Sequence, residues 1–326
     1  MTAQPPPRGL HHITAIAGNP VENLRFYRDV LGLRLVKKSV NQDDPTTYHL
    51  FYADGEGNPG TDITFFPWPN ARRGAPGVGV VSETLLTVPP GSLGYWQERL
   101  ASHGVQHASP RERFGELSLR LNDPHGLNLA LVEAEDPFAF TAHRDGPVAP
   151  EHQIRALHGA RAPLRELAPS RRFLEDVLGF SHYGEEDGWQ RFVLPGAGGA
   201  GGGRMLDLRE APDESRGAWG VGSVHHLAWT VDDAGHQEAV REAVAQAGRR
   251  PTEVIDRFWF RSVYFMEPGG VLFELATAGP GFGIDEDLAT LGEQLILPPW
   301  LEPQRASIEA ALPDLGEATG AAGVRS

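Results

Sequence analysis

Apolar and polar positions along the chain follow two patterns. Apolar residues spaced three to four apart predict helices, and short apolar runs predict strands. The clearest helix follows Asn19, a candidate N-cap, with Pro20 at the first helical position and Gly32 just past the end. Two further segments that end at a glycine predict helices over 92–103 and 233–247. Short apolar runs bounded by Gly, Pro and Asp turns predict strands before and after each helix.

The same order of elements recurs four times. The helix body FYRDVLGL at 26–33 reappears as FLEDVLGF at 173–180. Equivalent points on the first strand of each unit recur at intervals of about 70 residues, which marks a repeated module. These points are His12, Glu83, His158 and His226. One strand, one helix and about three strands joined by tight turns predict an α+β fold of four βαβββ modules.

Clusters of proline and glycine indicate where the modules begin and end. Residues 134–151 contain three prolines and predict a linker between the two halves of the chain. The assignment is module 1 at 8–70, module 2 at 78–135, module 3 at 152–212, module 4 at 220–285 and a C-terminal extension at 286–326.

Two histidine doublets and one glutamate carry the candidate chemistry. Successive side chains of a strand point to opposite faces, so only one member of each doublet can face a concave interior. The alternation places His12 and Thr14 on one face, and the same register selects His226 rather than His225. Glu274 stands four residues after the glycine that opens the last strand of module 4. Two histidines and one carboxylate form the ligand set of non-heme iron(II) centres with open positions.

A shared ion would also determine how the modules pair. His12 belongs to module 1, whereas His226 and Glu274 belong to module 4. Ligand bonds of roughly 2.0–2.2 Å would bring these two modules together. Modules 2 and 3 would then pair with each other, and the first and last quarters of the chain would form the active domain.

The equivalent positions of modules 2 and 3 hold a different set of side chains, namely Glu83, His158 and Asp207. This set has one histidine and two carboxylates, and no histidine doublet accompanies it. We interpret these three residues as a vestigial site.

Composition narrows the choice of ligands and partners. The 326-residue chain contains no cysteine, which excludes disulfides, iron-sulfur clusters and thiol nucleophiles and leaves His, Asp and Glu as metal ligands. The formal net charge of −14 argues against a nucleic-acid partner. The apolar runs are of strand length and no signal peptide is evident, so we expect no membrane span and a cytoplasmic location.

One segment resembles a known family signature. Residues 264–274, YFMEPGGVLFE, resemble the extradiol dioxygenase signature of the vicinal oxygen chelate superfamily. That signature carries a histidine about seven residues before its tyrosine, and here this position is Arg257. Arginine there, with HHIT at 11–14 and HHLAW at 225–229, is similar to the subgroup of ring-cleaving hydroquinone dioxygenases. The resemblance spans about residues 9–285 and implies two open-barrel paired domains.

The resemblance implies a cofactor and a reaction. The cofactor would be iron(II), with manganese(II) as the alternative, and the reaction would insert both atoms of O2 into a small aromatic substrate. A homo-oligomer is common for such folds and is expected. The implied metal ligands are His12, His226 and Glu274.

The resemblance also suggests roles for neighbouring side chains. Tyr264 would donate a hydrogen bond to the metal-bound oxygen, and Arg257, which cannot deprotonate in a protein, would hold an oxyanion. His225 or His11 would move protons, although strand alternation points both away from the metal, so that they would reach it only through a twist or bulge. The alternative is a role behind the metal ligands or a purely structural role. Thr14, facing inward, would orient the substrate. Aromatic residues at 65–69 and 258–260 predict an apolar pocket wall, with ordinary strand packing as the alternative.

Two other functions fit the same fold. One is a glyoxalase-type isomerase or thiol transferase, which would favour nickel, zinc or manganese. The other is a metal-free protein that binds small molecules and needs no ligand triad. Elemental analysis of the purified protein separates the three functions.

Overall fold

The computed structural model describes residues 5–135, 139–195 and 203–316. Sixteen strands form two eight-stranded sheets within these ranges. The first sheet contains the strands of modules 1 and 4: β1 Leu10–Ala17, β2 Arg34–Asn41, β3 Asp44–Ala53, β4 Asp62–Pro67, β13 Ser223–Val231, β14 Ile255–Asp256, β15 Arg261–Met266 and β16 Leu272–Thr277. The second contains those of modules 2 and 3: β5 Glu83–Val88, β6 Arg111–Arg113, β7 Glu116–Asn122, β8 Asn128–Glu133, β9 Ala156–Leu164, β10 Ser181–Glu186, β11 Trp189–Val193 and β12 Met205–Glu210.

The strand order explains why each sheet has two halves. The first sheet runs β14-β15-β16-β13-β1-β4-β3-β2, so the first strands of modules 1 and 4 lie side by side at its centre. The second sheet runs β10-β11-β12-β9-β5-β8-β7-β6, with the first strands of modules 3 and 2 at its centre. Both central pairs are antiparallel. The predicted fold class of four βαβββ modules in two paired domains is confirmed.

Each module carries one helix next to its first strand. The helices are α1 Pro20–Leu24, α2 Leu93–Ser102, α3 Ala168–Asp176 and α4 Ala234–Gln246, and α5 Arg305–Ala311 follows module 4. The predicted cap of α1 is confirmed, because the side chain of Asn19 accepts hydrogen bonds from the backbone of Val21 and Glu22. The rest of that helical segment, Arg25–Val30, is a π-helix rather than an α-helix, and the N–H of Leu31 donates to the carbonyl of Phe26. None of the helices within the described ranges is long and apolar enough to cross a membrane.

Strand alternation separates a helix-facing side from an open side in each sheet. One apolar core joins residues of both sheets with the inner faces of α1 to α4, and it includes Ile13, Leu227 and Phe273. The neighbouring residues on the same strands, such as His12 and Glu274, therefore face the opposite, concave side.

A glycine with positive φ opens the last strand of all four modules. The φ values are +93° at Gly60, +90° at Gly126, +63° at Gly203 and +103° at Gly270. A residue with a side chain is strained in this backbone region, so glycine is required at the turn. Each last strand begins two residues after this glycine, so the fourth residue after the glycine has the same place in every module, and in module 4 it is Glu274.

Residues at the boundary between module 4 and the C-terminal extension pack against the first sheet. Lys37 of β2 is fully buried and pairs with Asp285 and Glu286, and its Nζ lies 5.3 Å from the ring centre of Trp259. The indole of Trp259 donates to Asp285 at 2.9 Å. The contacts of these boundary residues and of Lys37 thus hold Trp259, which forms one aromatic wall of the concave side. Residues 317–326 of the predicted extension lie outside the described residues.

Candidate metal centre

Three buried side chains converge at the centre of the first sheet. Nε2 of His12 lies 3.2 Å from Nε2 of His226. Oε2 of Glu274 lies 3.2 Å from the first of these nitrogens and 2.9 Å from the second. All three residues are buried, and within the described residues they form the only group of this kind with the spacing of metal ligands. The structure therefore brings together the three residues that the sequence selected.

The chemistry of this donor set fits a divalent metal ion. One oxygen of Glu274 accepts a hydrogen bond from Ser262 at 2.5 Å, whereas the polar neighbours of the buried Oε2 are the two imidazole nitrogens just named, neither of which is aligned to donate a hydrogen bond to it. Burial alone would raise the pKa of Glu274, but His12 and His226 lower it well below its ordinary value. An ionised, buried oxygen with a free lone pair beside two imidazole nitrogens matches a 2-His-1-carboxylate site.

The other histidine of each doublet lies within hydrogen-bond distance of its neighbour in the candidate ligand set. Nδ1 of His11 lies 2.9 Å from Nδ1 of His12, and Nδ1 of His225 lies 2.8 Å from Nδ1 of His226. A β-bulge makes each contact possible, because the register of β1 and β13 skips one residue at His11 and another at His225. A bulge re-aims the side chain of the extra residue. Simple alternation, which points His11 and His225 away, therefore fails at both doublets.

These contacts orient the ligand nitrogens. If Nδ1 of His12 and of His226 carries the proton and donates to its neighbour, Nε2 keeps its lone pair for a metal. Burial, reinforced by His12, lowers the pKa of His11 to about 3, and burial with His226 lowers the pKa of His225 to about 3. Both residues are thus neutral near pH 7 and can accept this hydrogen bond. Holding the ligand rings is the role that the geometry favours for them.

The low pKa of His225 predicts an acid-sensitive fold. In the unfolded chain this imidazole takes up a proton below pH 6.5, whereas in the folded protein it stays neutral down to about pH 3. The unfolded state then binds more protons, so the free energy of unfolding falls as the pH drops through this window. We expect the metal-free His225→Gln variant to show a flatter decline, measured by urea unfolding from pH 7 to pH 3. His182→Gln, at an exposed histidine of β10, is the control, and parallel curves for His225→Gln and the unaltered protein would contradict the prediction.

A cleft opens above the three candidate ligands and is lined by two other predicted residues. Tyr264 packs edge-on against His226, with ring centres 5.5 Å apart. Burial and the charge of Glu274 raise the pKa of Tyr264, so its hydroxyl stays protonated. Arg257 lies beside this ring and pairs with Asp43 at 2.9 Å. Asp43 belongs to the β2–β3 turn, so the pair joins the two module halves of the cleft.

Aromatic side chains form much of the rest of the cleft lining. Phe66, Trp259 and Phe260 come from the two predicted aromatic runs, and Phe51 is added by β3. Phe260 also packs against His12, with ring centres 5.2 Å apart. Walls of this kind suit a planar apolar ring.

Thr14 is connected to the cleft through other residues, whereas the sequence suggested that it would orient the substrate itself. Its side chain is fully buried, and its hydroxyl lies 2.8 Å from the hydroxyl of Thr64 on β4. Thr64 in turn contacts Nε2 of His49 at 2.9 Å, and the ring of His49 lines the cleft. The sequence interpretation overlooked His49, which stands alone on β3 without a doublet or a repeat match.

At the matching place of the second sheet, the described residues form no group with the spacing of metal ligands. Arg161 bonds to both Glu83 and Asp207, and Arg191 bonds to Asp207 and Glu116. Both arginines are buried. In this sheet, two guanidinium groups thus bind the carboxylates of Glu83 and Asp207.

The proposed match of His158 to His226 is wrong by one residue. Thr14, two residues after His12, pairs with His226, whereas Leu85, two residues after Glu83, pairs with Gly159. His158 lies at the bulge of β9 and corresponds to His225 instead. His158 contacts Glu116 at 3.2 Å. Among the described residues, the side chains of Glu83, His158 and Asp207 do not come close enough together to share a metal ion.

Comparison with known proteins yields one family match. Residues 9–131 and 157–275 match the family described as the Glyoxalase/Bleomycin resistance protein/Dioxygenase superfamily. MhqO of Bacillus subtilis (strain 168), which is provisionally named a ring-cleaving dioxygenase, is 43% identical over 304 residues, covering 93% of this chain and 95% of that protein. The chlorohydroquinone/hydroquinone 1,2-dioxygenase of Sphingobium indicum is 35% identical over 303 residues, which cover 90% of this chain and 92% of that protein.

One solved structure is similar along almost the whole chain. It is a crystal structure from Bacillus subtilis, of a protein provisionally titled a dioxygenase. The TM-score is 0.88 at 42% sequence identity, with 95% of this chain and 98% of that chain covered.

Proposed function

The chain belongs to the Glyoxalase/Bleomycin resistance protein/Dioxygenase superfamily, and we propose that it is an iron(II)-dependent dioxygenase that opens hydroquinone-type rings with O2. The observation that carries the proposal is the buried His12, His226 and Glu274 set at the base of an aromatic cleft. The names of its relatives support the reaction: one acts on chlorohydroquinone and hydroquinone, and another is named for ring cleavage. A cytoplasmic location and a homo-oligomeric state stay predictions from the sequence.

The three ligands would leave open positions for a ring oxygen and for O2. When bound, iron(II) supplies the one-electron chemistry that couples an electron-rich ring to O2. Manganese(II) is the alternative with the same ligand preference.

Residues of the cleft would position the ring and manage its charge. The protonated hydroxyl of Tyr264 can donate a hydrogen bond to the ring oxygen nearest the triad, because Tyr264 packs directly on His226. The guanidinium of Arg257 stays charged and would stabilise oxyanions of the substrate or product. Phe66 and Trp259 would hold the ring by its apolar surface and exclude water from it.

The test is oxygen consumption by protein loaded with iron(II) without air. We expect uptake of one O2 per ring opened with hydroquinone and methylhydroquinone, and none with protein loaded with zinc(II), which has no redox chemistry. Catechol should be a poor substrate, because Arg257 replaces the histidine of the extradiol signature. Uptake with catechol alone would contradict the hydroquinone assignment. Turnover of a glutathione adduct with nickel or zinc would favour an isomerase or transferase.

A further inference from the structure

His49 lines the cleft but has no role in the chemistry assigned so far. It lies on β3, in the module 1 half of the sheet, whereas Tyr264 and Arg257 lie in the module 4 half. The strand pairing is equivalent in the two halves. Tyr264 of β15 lies opposite Glu274 of β16, and Phe51 of β3 lies opposite Thr64 of β4. His49 stands two residues before Phe51 on the same face of β3. It therefore lines the module 1 side of the cleft.

The ring of His49 is held firmly. Its Nε2 lies 2.9 Å from the hydroxyl of Thr64, which lies 2.8 Å from the hydroxyl of Thr14. The rings of Phe51 and Phe66 flank it, with ring centres 3.9 Å and 4.4 Å away. Thr14 and Thr64 are both fully buried. The imidazole of His49 is therefore oriented by protein groups on the side away from the cleft.

The other ring nitrogen of His49 is free to bind a ligand. Among the described residues, none forms a hydrogen bond with Nδ1, and the side chain is partly exposed where it lines the cleft. Enclosure in the cleft and the nearby histidines hold the pKa of His49 well below its ordinary value, so the ring is neutral near pH 7. A neutral imidazole with one nitrogen engaged offers one donor or one acceptor at the other, according to its tautomer.

A ring hydroxyl is the substrate group that matches either tautomer. A phenolic O–H donates and accepts, so it can bond to Nδ1 in both cases, whereas a carbon-bound hydrogen or a halogen cannot do so equally. In a 1,4-dihydroxybenzene, one oxygen can sit at the triad while the other projects from the far side of the ring. Arg257 is less suited to a neutral hydroxyl, because its guanidinium already pairs with Asp43 at two distances, 2.9 Å and 3.3 Å.

We infer that His49 binds the hydroxyl para to the ring oxygen held at the triad and so selects 1,4-dihydroxybenzenes over monohydroxylated rings. The inference rests on the proposed function and names the residue that determines its substrate class. His49 acts here through direct contact with substrate, and Thr64 and Thr14 are positioning residues behind it.

Equilibrium binding without oxygen tests the inference apart from turnover. Isothermal titration of iron(II)-loaded protein under nitrogen would compare hydroquinone with phenol, which differ only in the para hydroxyl. In the unaltered protein hydroquinone should bind more tightly. The His49→Phe substitution should weaken hydroquinone binding about 5- to 20-fold, the cost of one lost hydrogen bond in a desolvated site, and leave phenol binding nearly unchanged. His49→Gln, which keeps a donor and an acceptor, should retain part of the preference.

Phe66→Leu is the matched control, because the ring of Phe66 packs against His49 in the same wall and has no polar atom. It should weaken both ligands equally. Equal losses for both ligands in His49→Phe, or no preference for hydroquinone in the unaltered protein, would overturn the inference. If the preference depends on His49 but no hydroquinone supports oxygen uptake, the inference stands and the proposed function fails.

Discussion

The Glu274→Gln variant should fold normally and purify almost free of metal, with oxygen uptake reduced to background. Glutamine has nearly the same shape but no negative charge, so the site loses its only anionic ligand. The loss of metal affinity should exceed the roughly 10- to 100-fold that removal of an outer-shell partner costs. Elemental analysis after iron(II) loading and desalting measures the effect, and circular dichroism checks the fold.

Glu185→Gln makes the same substitution at an exposed strand position of the second sheet and serves as the control. It should keep the metal content and activity of the unaltered protein. Full metal occupancy in Glu274→Gln would remove this carboxylate from the ligand set and leave the proposed iron centre without support.

The Arg161→Leu substitution should destabilise the protein by about 3–5 kcal/mol, the usual effect of breaking a buried ion pair from one side. Arg161 is 5% exposed and bonds to both Glu83 and Asp207. Its removal leaves two buried carboxylates with fewer positive partners. The free energy of unfolding, from urea titration at pH 7, measures the change.

Arg120→Leu is the matched control, because Arg120 also bonds to Glu83 but its side chain is 56% exposed. Its loss should cost less than about 1 kcal/mol, as is usual for exposed pairs. The metal content of both variants should be unchanged, because Arg161 and Arg120 lie in the second sheet, whereas the candidate metal ligands lie in the first. If the two substitutions lowered the free energy of unfolding by similar amounts, the burial of Arg161 would not explain its contribution to stability.

The repeat made the central part of the site predictable from the sequence. His12 and His226 occupy equivalent points of modules 1 and 4, and a glycine turn fixes Glu274 relative to its strand. These constraints are local to each module, and a fourfold repeat shows them several times. The fold class followed from the same regularity.

The errors arose where strands depart from ideal alternation. Bulges at His11, His225 and His158 insert one residue each, so a count of alternating positions is wrong by one beyond them. A bulge depends on pairing with a neighbouring strand and leaves no reliable pattern in a single sequence.

Contacts between distant segments were also out of reach of the sequence. The ion pair of Lys37 with Asp285 joins residues 248 positions apart, and the Asp43–Arg257 pair joins residues 214 positions apart. Both lysine and aspartate are ordinary surface residues by type, so neither attracts notice before the fold is known. The free Nδ1 of His49 likewise becomes meaningful only once β3 is seen to border the cleft.

The pairing of β1 with β13 has a consequence for biosynthesis. His12 leaves the ribosome more than two hundred residues before Glu274, yet neither can complete the donor set without the other. A nascent chain in which only the first three modules have emerged lacks two of the three donors. Under the proposed function, iron(II) can therefore be bound by all three side chains only after translation has passed Glu274, near the end of module 4.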